Sequence, residues 1–316
     1  MAQSASYHKA KIIKCIKDVL PSTTKTCIWL LKLTVGVSLA ILFLRYINIL
    51  PWFSNLISPV FNYLGLPGEA ALAFVTGYFV NVYAAISVAV SLDLDVRMLT
   101  ILSVMVLCAH NMVTETAVQK KTGSSAKRIV IIRTLSAFVL AYILNLIMPG
   151  AVTDVLGGVE QQSHSLKEMF SEWAVSTLEV VIKMTTLIYT LAIMQKLLSE
   201  YGVIRWISKF LNPFLAIFGL PARTSFLWIV ANTLGLAYGA AVMMEEVEAK
   251  KVTKKDIDLL NSHIAISHSN LEDLFLLSAL GGIWYILLFS RWIGAFVLVW
   301  ELRLEYFIKE RYIQKK

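Results

Sequence analysis

Apolar and polar residues are distributed along this chain in long blocks. Residues 1–27 set Lys9, Lys11, Lys14, Lys17 and Lys25 among Ile12, Ile13, Ile16, Val19 and Leu20. The apolar positions recur at three- and four-residue intervals, which predicts a basic amphipathic helix lying on a membrane surface. Eight long apolar segments follow, at 28–46, 68–92, 96–118, 129–148, 170–198, 222–247, 257–280 and 283–300. Each is close to the roughly 20 residues that cross a bilayer as a helix. Backbone polar groups in lipid must be satisfied within the segment, so the pattern predicts an all-α membrane protein. The first apolar segment has no small-residue cleavage pattern and reads as a retained anchor.

The segments repeat. Ser58-Pro59 precedes Gly65-Leu66-Pro67, and Asn212-Pro213 precedes Gly219-Leu220-Pro221; 213 − 59 and 221 − 67 are both 154. Farther on, 268 − 110 is 158 for two histidines, so four residues are inserted, and the polar run 245–255 accommodates them. Each copy orders a long apolar helix, a Pro-bearing stretch, Gly-Leu-Pro, an interrupted apolar segment and two further helices. Duplication of this kind is common in transporters. Gly77 and Asn81 interrupt 68–92, while Asn232, Thr233, Gly235 and Gly239 interrupt 222–247. Such residues weaken a helix where they sit, so both segments read as hairpins, although their length also fits a full crossing.

Composition removes the soluble alternatives. The chain is 57% hydrophobic and 16% charged, with a mean hydropathy of +0.68. A soluble domain carries roughly a quarter charged residues. An ordinary cytoplasmic enzyme, a disulfide scaffold and a disordered tail are excluded. Cys15, Cys27 and Cys108 are scattered and fit a reducing compartment or burial in lipid.

The net charge of +8 comes from 29 Lys and Arg against 21 Asp and Glu. In this setting it reports topology rather than nucleic-acid affinity. Lys32, Lys183 and Arg291 lie within apolar segments, which leaves 29 − 3 = 26 basic residues to place. Eight full crossings with the N-terminus inside put 16 inside and 10 outside. Two re-entrant hairpins put 23 inside and 3 outside (Arg45, Arg97 and Lys167), as the positive-inside rule prefers. That count assigns the 119–133 connection, with Lys120, Lys121, Lys127, Arg128 and Arg133, to the cytoplasm. Glu69 and Arg223 are repeat-equivalent (223 − 69 = 154) and flank the hairpins with opposite charge.

Three crossings per half make the halves opposite in orientation. The expected architecture is an inverted structural repeat with about six transmembrane helices, two re-entrant helical hairpins and interfacial helices. Its parts are a basic segment at 1–27, repeats at 28–150 and 170–300, an external linker at 151–169 and a basic cytoplasmic tail at 301–316. Both termini fall in the cytoplasm under this scheme.

Polar clusters follow each hairpin. One reads Cys108-Ala-His110-Asn111-Met-Val-Thr114-Glu115; the other reads Ser267-His268-Ser269-Asn270-Leu-Glu272-Asp273. On an ideal helix residues i and i+4 share a face, which would set His110 over Thr114 and His268 over Glu272. Ionisable groups are costly in lipid unless they face a cavity or a partner, so the clusters are candidate sites. The bland reading is interhelical hydrogen bonding between the repeats. Thr76 and Asn81 at one hairpin tip, with Asn232, Thr233 and Tyr238 at the other, complete the polar set. Asn232-Thr233 also reads as a helix cap. Glu179 and Lys183, at i and i+4, read as a salt bridge on a scaffold helix. Arg291 reads as the partner of a carboxylate or a headgroup. No Walker A, GxSxG, HExxH or GxGxxG motif is present. A metal site could be drawn from His110, Glu115, His263, His268, Glu272 and Asp273, a mixture that suits a divalent transition metal, although they form no compact ligand motif.

The Gly-Leu-Pro-led hairpins, each followed by His110-Asn111 with Glu115 or by His268-Ser269-Asn270 with Asp273, resemble the Gate, or nucleoside-recognition, superfamily. That superfamily includes concentrative nucleoside transporters, ferrous-iron permease membrane domains and spore-maturation membrane proteins. The resemblance covers about 30–150 and 170–300, like two gates fused in one chain. It implies an elevator-type unit in which hairpins and broken helices enclose one small polar solute, either nucleoside-like or a divalent metal. Asn81, Asn111, Glu115, Asn232, Thr233, Ser269, Asn270 and Asp273 would then contact solute. Phe79–Tyr83 stands where the nucleoside carriers have a Gln/Glu-rich hairpin, and the GTPase of the iron permeases has no counterpart here.

The expected function is a non-enzymatic secondary permease of the inner membrane. His110, Thr114, His268 and Glu272 join the candidate binding residues, and Glu115, Glu272 or Asp273 would couple transport to Na⁺ or H⁺. No cofactor or nucleic acid is expected; the partners are lipid, the solute and, in a homo-oligomer, further copies of the chain. The alternatives are a non-transporting assembly factor and, behind it, a metal-dependent membrane enzyme.

Overall fold

A computed structural model describes residues 2–314, apart from 48, 93, 151–165 and 234–235. The helices of the first half are α1 (Ala2–Tyr46), α2 (Ile49–Asn62), α3 (Ala70–Phe79), α4 (Val82–Ala89), α5 (Val96–Ala109), α6 (Met112–Lys121) and α7 (Ala126–Ile147). The second half repeats the order as α8 (Leu166–Glu200), α9 (Val203–Ile217), α10 (Ser225–Thr233), α11 (Leu236–Glu248), α12 (Lys254–Ser267), α13 (Asp273–Ala279) and α14 (Trp284–Gln314). No strand occurs among the described residues. The protein is all-α, as its apolar blocks require.

Five helical stretches are long and apolar enough to cross a membrane: Tyr7–Leu44, Val96–Lys121, Ala126–Ile147, Leu166–Glu200 and Trp284–Tyr312. Val96–Lys121 is itself interrupted between α5 and α6, and its counterpart, the sixth expected from the sequence, is divided between α12, of 14 residues, and α13, of 7. Outward faces are apolar at helical spacing: on α7, Ile131, Leu135, Val139, Tyr142 and Leu146 are all exposed. Charged side chains lie inside instead, with Arg133 and Arg291 fully buried. An apolar exterior around a polar interior is the arrangement lipid favours.

Corresponding long helices of the two halves run antiparallel. Lys11 reaches Glu200 (3.6 Å), Thr24 bonds Tyr189 (2.7 Å), Cys27 lies 3.9 Å from Thr185, and Trp173 donates to Ser38 (3.1 Å). Rising positions on α1 thus meet falling positions on α8. The same sense holds for α7 and α14: Arg128 binds Glu301 and Glu305, whereas Leu140 packs beside Gly294.

Each half contains a helical hairpin. α3 and α4 meet at Val80-Asn81, where the Asn81 carboxamide oxygen accepts from the Ala84 N–H (2.9 Å) and caps α4. A Cβ at Gly77 would stand 2.9 Å from the Ala85 Cβ, so glycine lets the two arms close. α10 and α11 form the second pair; their turn lies outside the described residues. The Gly-Leu-Pro turns leading into both hairpins have matching left-handed glycines, Gly65 at φ +70 and Gly219 at φ +73.

Element edges differ from the expected boundaries in two places. The basic N-terminal segment and the first apolar segment form one helix, α1, which continues through Pro21. At the other end α14 runs on through Gln314, so residues 301–314 extend the last helix. Most of the expected linker, 151–165, lies outside the described residues, and its remainder begins α8.

Candidate functional site

The site is made by two helix interruptions. α5 ends at His110, whose backbone is extended (ψ 158), and Asn111 turns left-handed (φ 48) before α6. α12 ends at His268 (ψ 177), and Ser269 is left-handed (φ 52) ahead of α13. A left-handed residue costs roughly 1–2 kcal/mol, least for Asn, so these breaks need support. The hairpin tips supply part of it. The Asn111 N–H donates to the Gly77 carbonyl (2.8 Å), and the Ser269 and Leu271 N–H groups donate to the Ala231 and Asn232 carbonyls (3.4 and 3.1 Å).

Arginines supply the rest. Arg133 on α7 donates to the carbonyls of Cys108 (2.9 Å) and His110 (2.7 Å). Arg291 on α14 donates to those of Ile266 (3.4 Å) and His268 (3.1 Å). Each guanidinium takes up carbonyls that the break leaves without helical partners. The two arginines stand 291 − 133 = 158 residues apart, the same offset as the histidines.

Between the breaks, four ionisable side chains converge. His110 Nε2 lies 3.2 Å from both Glu115 Oε1 and Asp273 Oδ2, and His268 Nε2 lies 3.1 Å from Glu115 Oε2. Arg133 Nη2 is 2.8 Å from Glu115 Oε2. All are buried: His110 is 3% exposed, His268 1%, Glu115 8% and Asp273 6%. The imidazole rings sit 5.0 Å apart, centre to centre. Two of the contacts, His110 with Asp273 and His268 with Glu115, join one half to the other.

The tautomers follow from the backbone. His110 Nδ1 is 3.0 Å from the Val106 carbonyl and His268 Nδ1 is 2.8 Å from the Ile264 carbonyl. A carbonyl only accepts, so each Nδ1 carries a hydrogen. In the neutral form both Nε2 atoms therefore present lone pairs to carboxylate oxygens.

The breaks also correct the expected pairing. An unbroken helix would set Thr114 and Glu272 beneath the histidines; the left-handed turn brings Glu115 and Asp273 there instead. Thr114 is exposed. Glu272 lies beside the centre and accepts from the Tyr83 hydroxyl (2.5 Å). Asn270 bridges Asn232 (2.5 Å) and Arg291 (2.5 Å), and Ser269 and Asn111 act through their backbones. Thr233 bonds back to the Ile229 carbonyl (2.7 Å) and Asn232 to the Trp228 carbonyl (2.9 Å), both within α10. Asn81 is a helix cap, and the Tyr238 side chain lies outside the described residues. Glu179 and Lys183 form the expected pair on α8 (2.6 Å). The three cysteines are free and buried.

Sequence reasoning missed Arg133, which it placed in a cytoplasmic connection, and Tyr83. The Arg133–Arg291 offset was the signal that would have found the first.

Paired hairpins, paired broken helices and a buried ionisable centre between them define a polytopic all-α membrane protein. The model of the nucleoside-recognition Gate family matches residues 27–148. The uncharacterized membrane protein YvoD of Bacillus subtilis (strain 168) is 33% identical over 262 residues, covering 81% of this chain and 84% of that protein. No solved structure matches. The chain belongs to the Gate-domain membrane proteins.

Proposed function

We propose that the protein is a secondary permease of the cytoplasmic membrane that moves a small polar solute by alternating access, with both termini in the cytoplasm. The observation that carries this reading is the buried His110–Glu115–His268–Asp273 centre, drawn from both halves where two broken helices meet. Ionisable groups at such depth are expensive, and a bound solute or ion offsets that cost. Antiparallel halves offer two related conformations, in which either hairpin opens toward its own side in an elevator-type cycle. With no nucleotide-binding loop in the sequence, the drive would be an ion gradient, a partner protein or the solute's own gradient.

The test begins with thermal unfolding of purified protein against nucleosides, amino acids, organic acids and divalent metals, since a ligand of the folded state raises its stability. Uptake of the responding solute into proteoliposomes then follows. Glu115→Gln and Asp273→Asn each abolish uptake while the protein stays folded and inserted. Normal uptake by both would remove these carboxylates from the mechanism. Vesicles that take up nothing from the panel would favour the assembly-factor alternative.

A further inference from the structure

We infer that the centre is a binding site for one divalent first-row transition-metal ion, held by His110 Nε2, His268 Nε2 and the Glu115 and Asp273 carboxylates. The inference rests on the permease reading and gives its solute a chemical class.

Three features of the geometry support a single shared ion. First, the ligand atoms of His110, Glu115 and His268 all lie within 4.8 Å of one another. Contacts of 3.1–3.2 Å separate His268 Nε2 from Glu115 Oε2, and His110 Nε2 from Glu115 Oε1 and Asp273 Oδ2. An ion with bonds of about 2.0–2.2 Å spaces tetrahedral ligands roughly 3.3–3.6 Å apart, so adjustments of roughly an ångström would gather His110, Glu115 and His268, with Asp273 joining from the side of His110.

Second, His268 Nε2 is fully buried and has no aligned hydrogen-bond partner, although Glu115 Oε2 is only 3.1 Å away. Two atoms close together but misaligned for a hydrogen bond are what a common third centre produces. Separate protons on the histidines would leave this nitrogen poorly satisfied; one ion reaches all four side chains.

Third, the supporting contacts are those that metal sites use. Both Nδ1 hydrogens are donated to backbone carbonyls, which orients the rings and aims the Nε2 lone pairs inward. Arg133 Nη2 lies 2.8 Å from Glu115 Oε2 and holds that carboxylate beside both histidines. Two neutral imidazoles, two carboxylates and the Arg133 guanidinium leave the cluster at −1, an anionic site that favours a cation. The mixture of nitrogen and oxygen donors favours transition metals over Mg²⁺ or Ca²⁺, which take oxygen.

Cobalt(II) is the probe. Full-length protein is stripped with chelator in detergent and titrated with Co²⁺ by equilibrium dialysis and visible absorption. The expected result is one ion per chain with d–d bands of nitrogen and oxygen coordination. H110Q and H268Q should weaken binding at least 10-fold, whereas E179Q, on α8 away from the centre, should bind as wild type does. The arginine clasps reach only the main chain at His110 and His268, so both variants should keep their metal-free unfolding profile. Absence of the bands at millimolar Co²⁺, or equal binding by wild type, H110Q and H268Q, would overturn the inference. Uptake measured on the same preparation separates the two readings. Transport of another solute without metal binding overturns the metal and leaves the permease. Metal that binds but never crosses the vesicle overturns the permease and leaves the metal site.

Discussion

Arg133 and Arg291 are each fully buried, and each spans two carbonyls across a helix break. A guanidinium does this because its donors form a rigid fork; a lysine ammonium is a point charge on a flexible stem. Arg133→Leu leaves the Cys108 and His110 carbonyls without their donor and Glu115 without its buried cation. Removing one partner of a buried charged pair costs about 3–5 kcal/mol, which chemical denaturation in detergent would measure. Arg133→Lys should recover less than half of the loss. The sequence made the histidines, Glu115 and Asp273 legible because ionisable residues stand out against apolar neighbours. It hid the roles of Thr114 and Glu272, since the i+4 rule assumes a continuous helix. Arg133 was hidden because it follows a run of loop lysines and reads as one more cytoplasmic charge.

Among the elements, hairpins and breaks depend on a few backbone positions. At Gly65 the left-handed φ of +70 coincides with crowding, since a Cβ would stand 2.1 Å from Asn145 Oδ1. Gly202 has a similar φ of +68 with nothing within 4 Å. Gly202→Ala should therefore lose only the conformational term, roughly 1 kcal/mol. Gly65→Ala should lose several times more, because Asn145 and the Arg97 it binds must also move. Thermal midpoints of the two variants in one detergent make the comparison. The Gly-Leu-Pro turns were readable from their constant spacing, and the paired short helices after them from the Gly and Asn interruptions. The merging of 1–27 with the first apolar segment was not: a change from polar to apolar composition marks where water gives way to lipid, and a helix can continue through it.

For the whole molecule, the antiparallel pairing of α1 with α8 is open to direct chemistry. Cys27 Sγ lies 3.9 Å from Thr185 Oγ1, so Thr185→Cys should form an intramolecular disulfide with the native Cys27 on mild oxidation. Peptide mapping detects the cross-link; a second disulfide between S38C and W173C in a Cys27-free chain would then fix the antiparallel sense, since parallel helices could not give both. Orientation rests on charge, and burial changes that count only slightly. Arg133 leaves the inside set (23 − 1 = 22) and Arg97, 9% exposed, leaves the outside set (3 − 1 = 2). The counted bias thus stays at 22 to 2, and the positive-inside rule still predicts that both termini face the cytoplasm. A cysteine at the exposed Lys121 should react with a membrane-impermeant maleimide only from the cytoplasmic side.

The arginine clasps also bear on how the chain is made. An arginine entering the middle of a bilayer alone costs about 2.5–3.5 kcal/mol on insertion scales. Here the carbonyls that receive Arg133 belong to Cys108 and His110, and those that receive Arg291 belong to Ile266 and His268. In both cases the acceptors leave the ribosome 23 to 25 residues before the donor. Each half thus carries a landing place for its own cation before that cation is synthesised, and neither waits for the other to close its break. The contacts of His110 with Asp273 and of His268 with Glu115 need both halves, so the centre cannot close until the second half has been made.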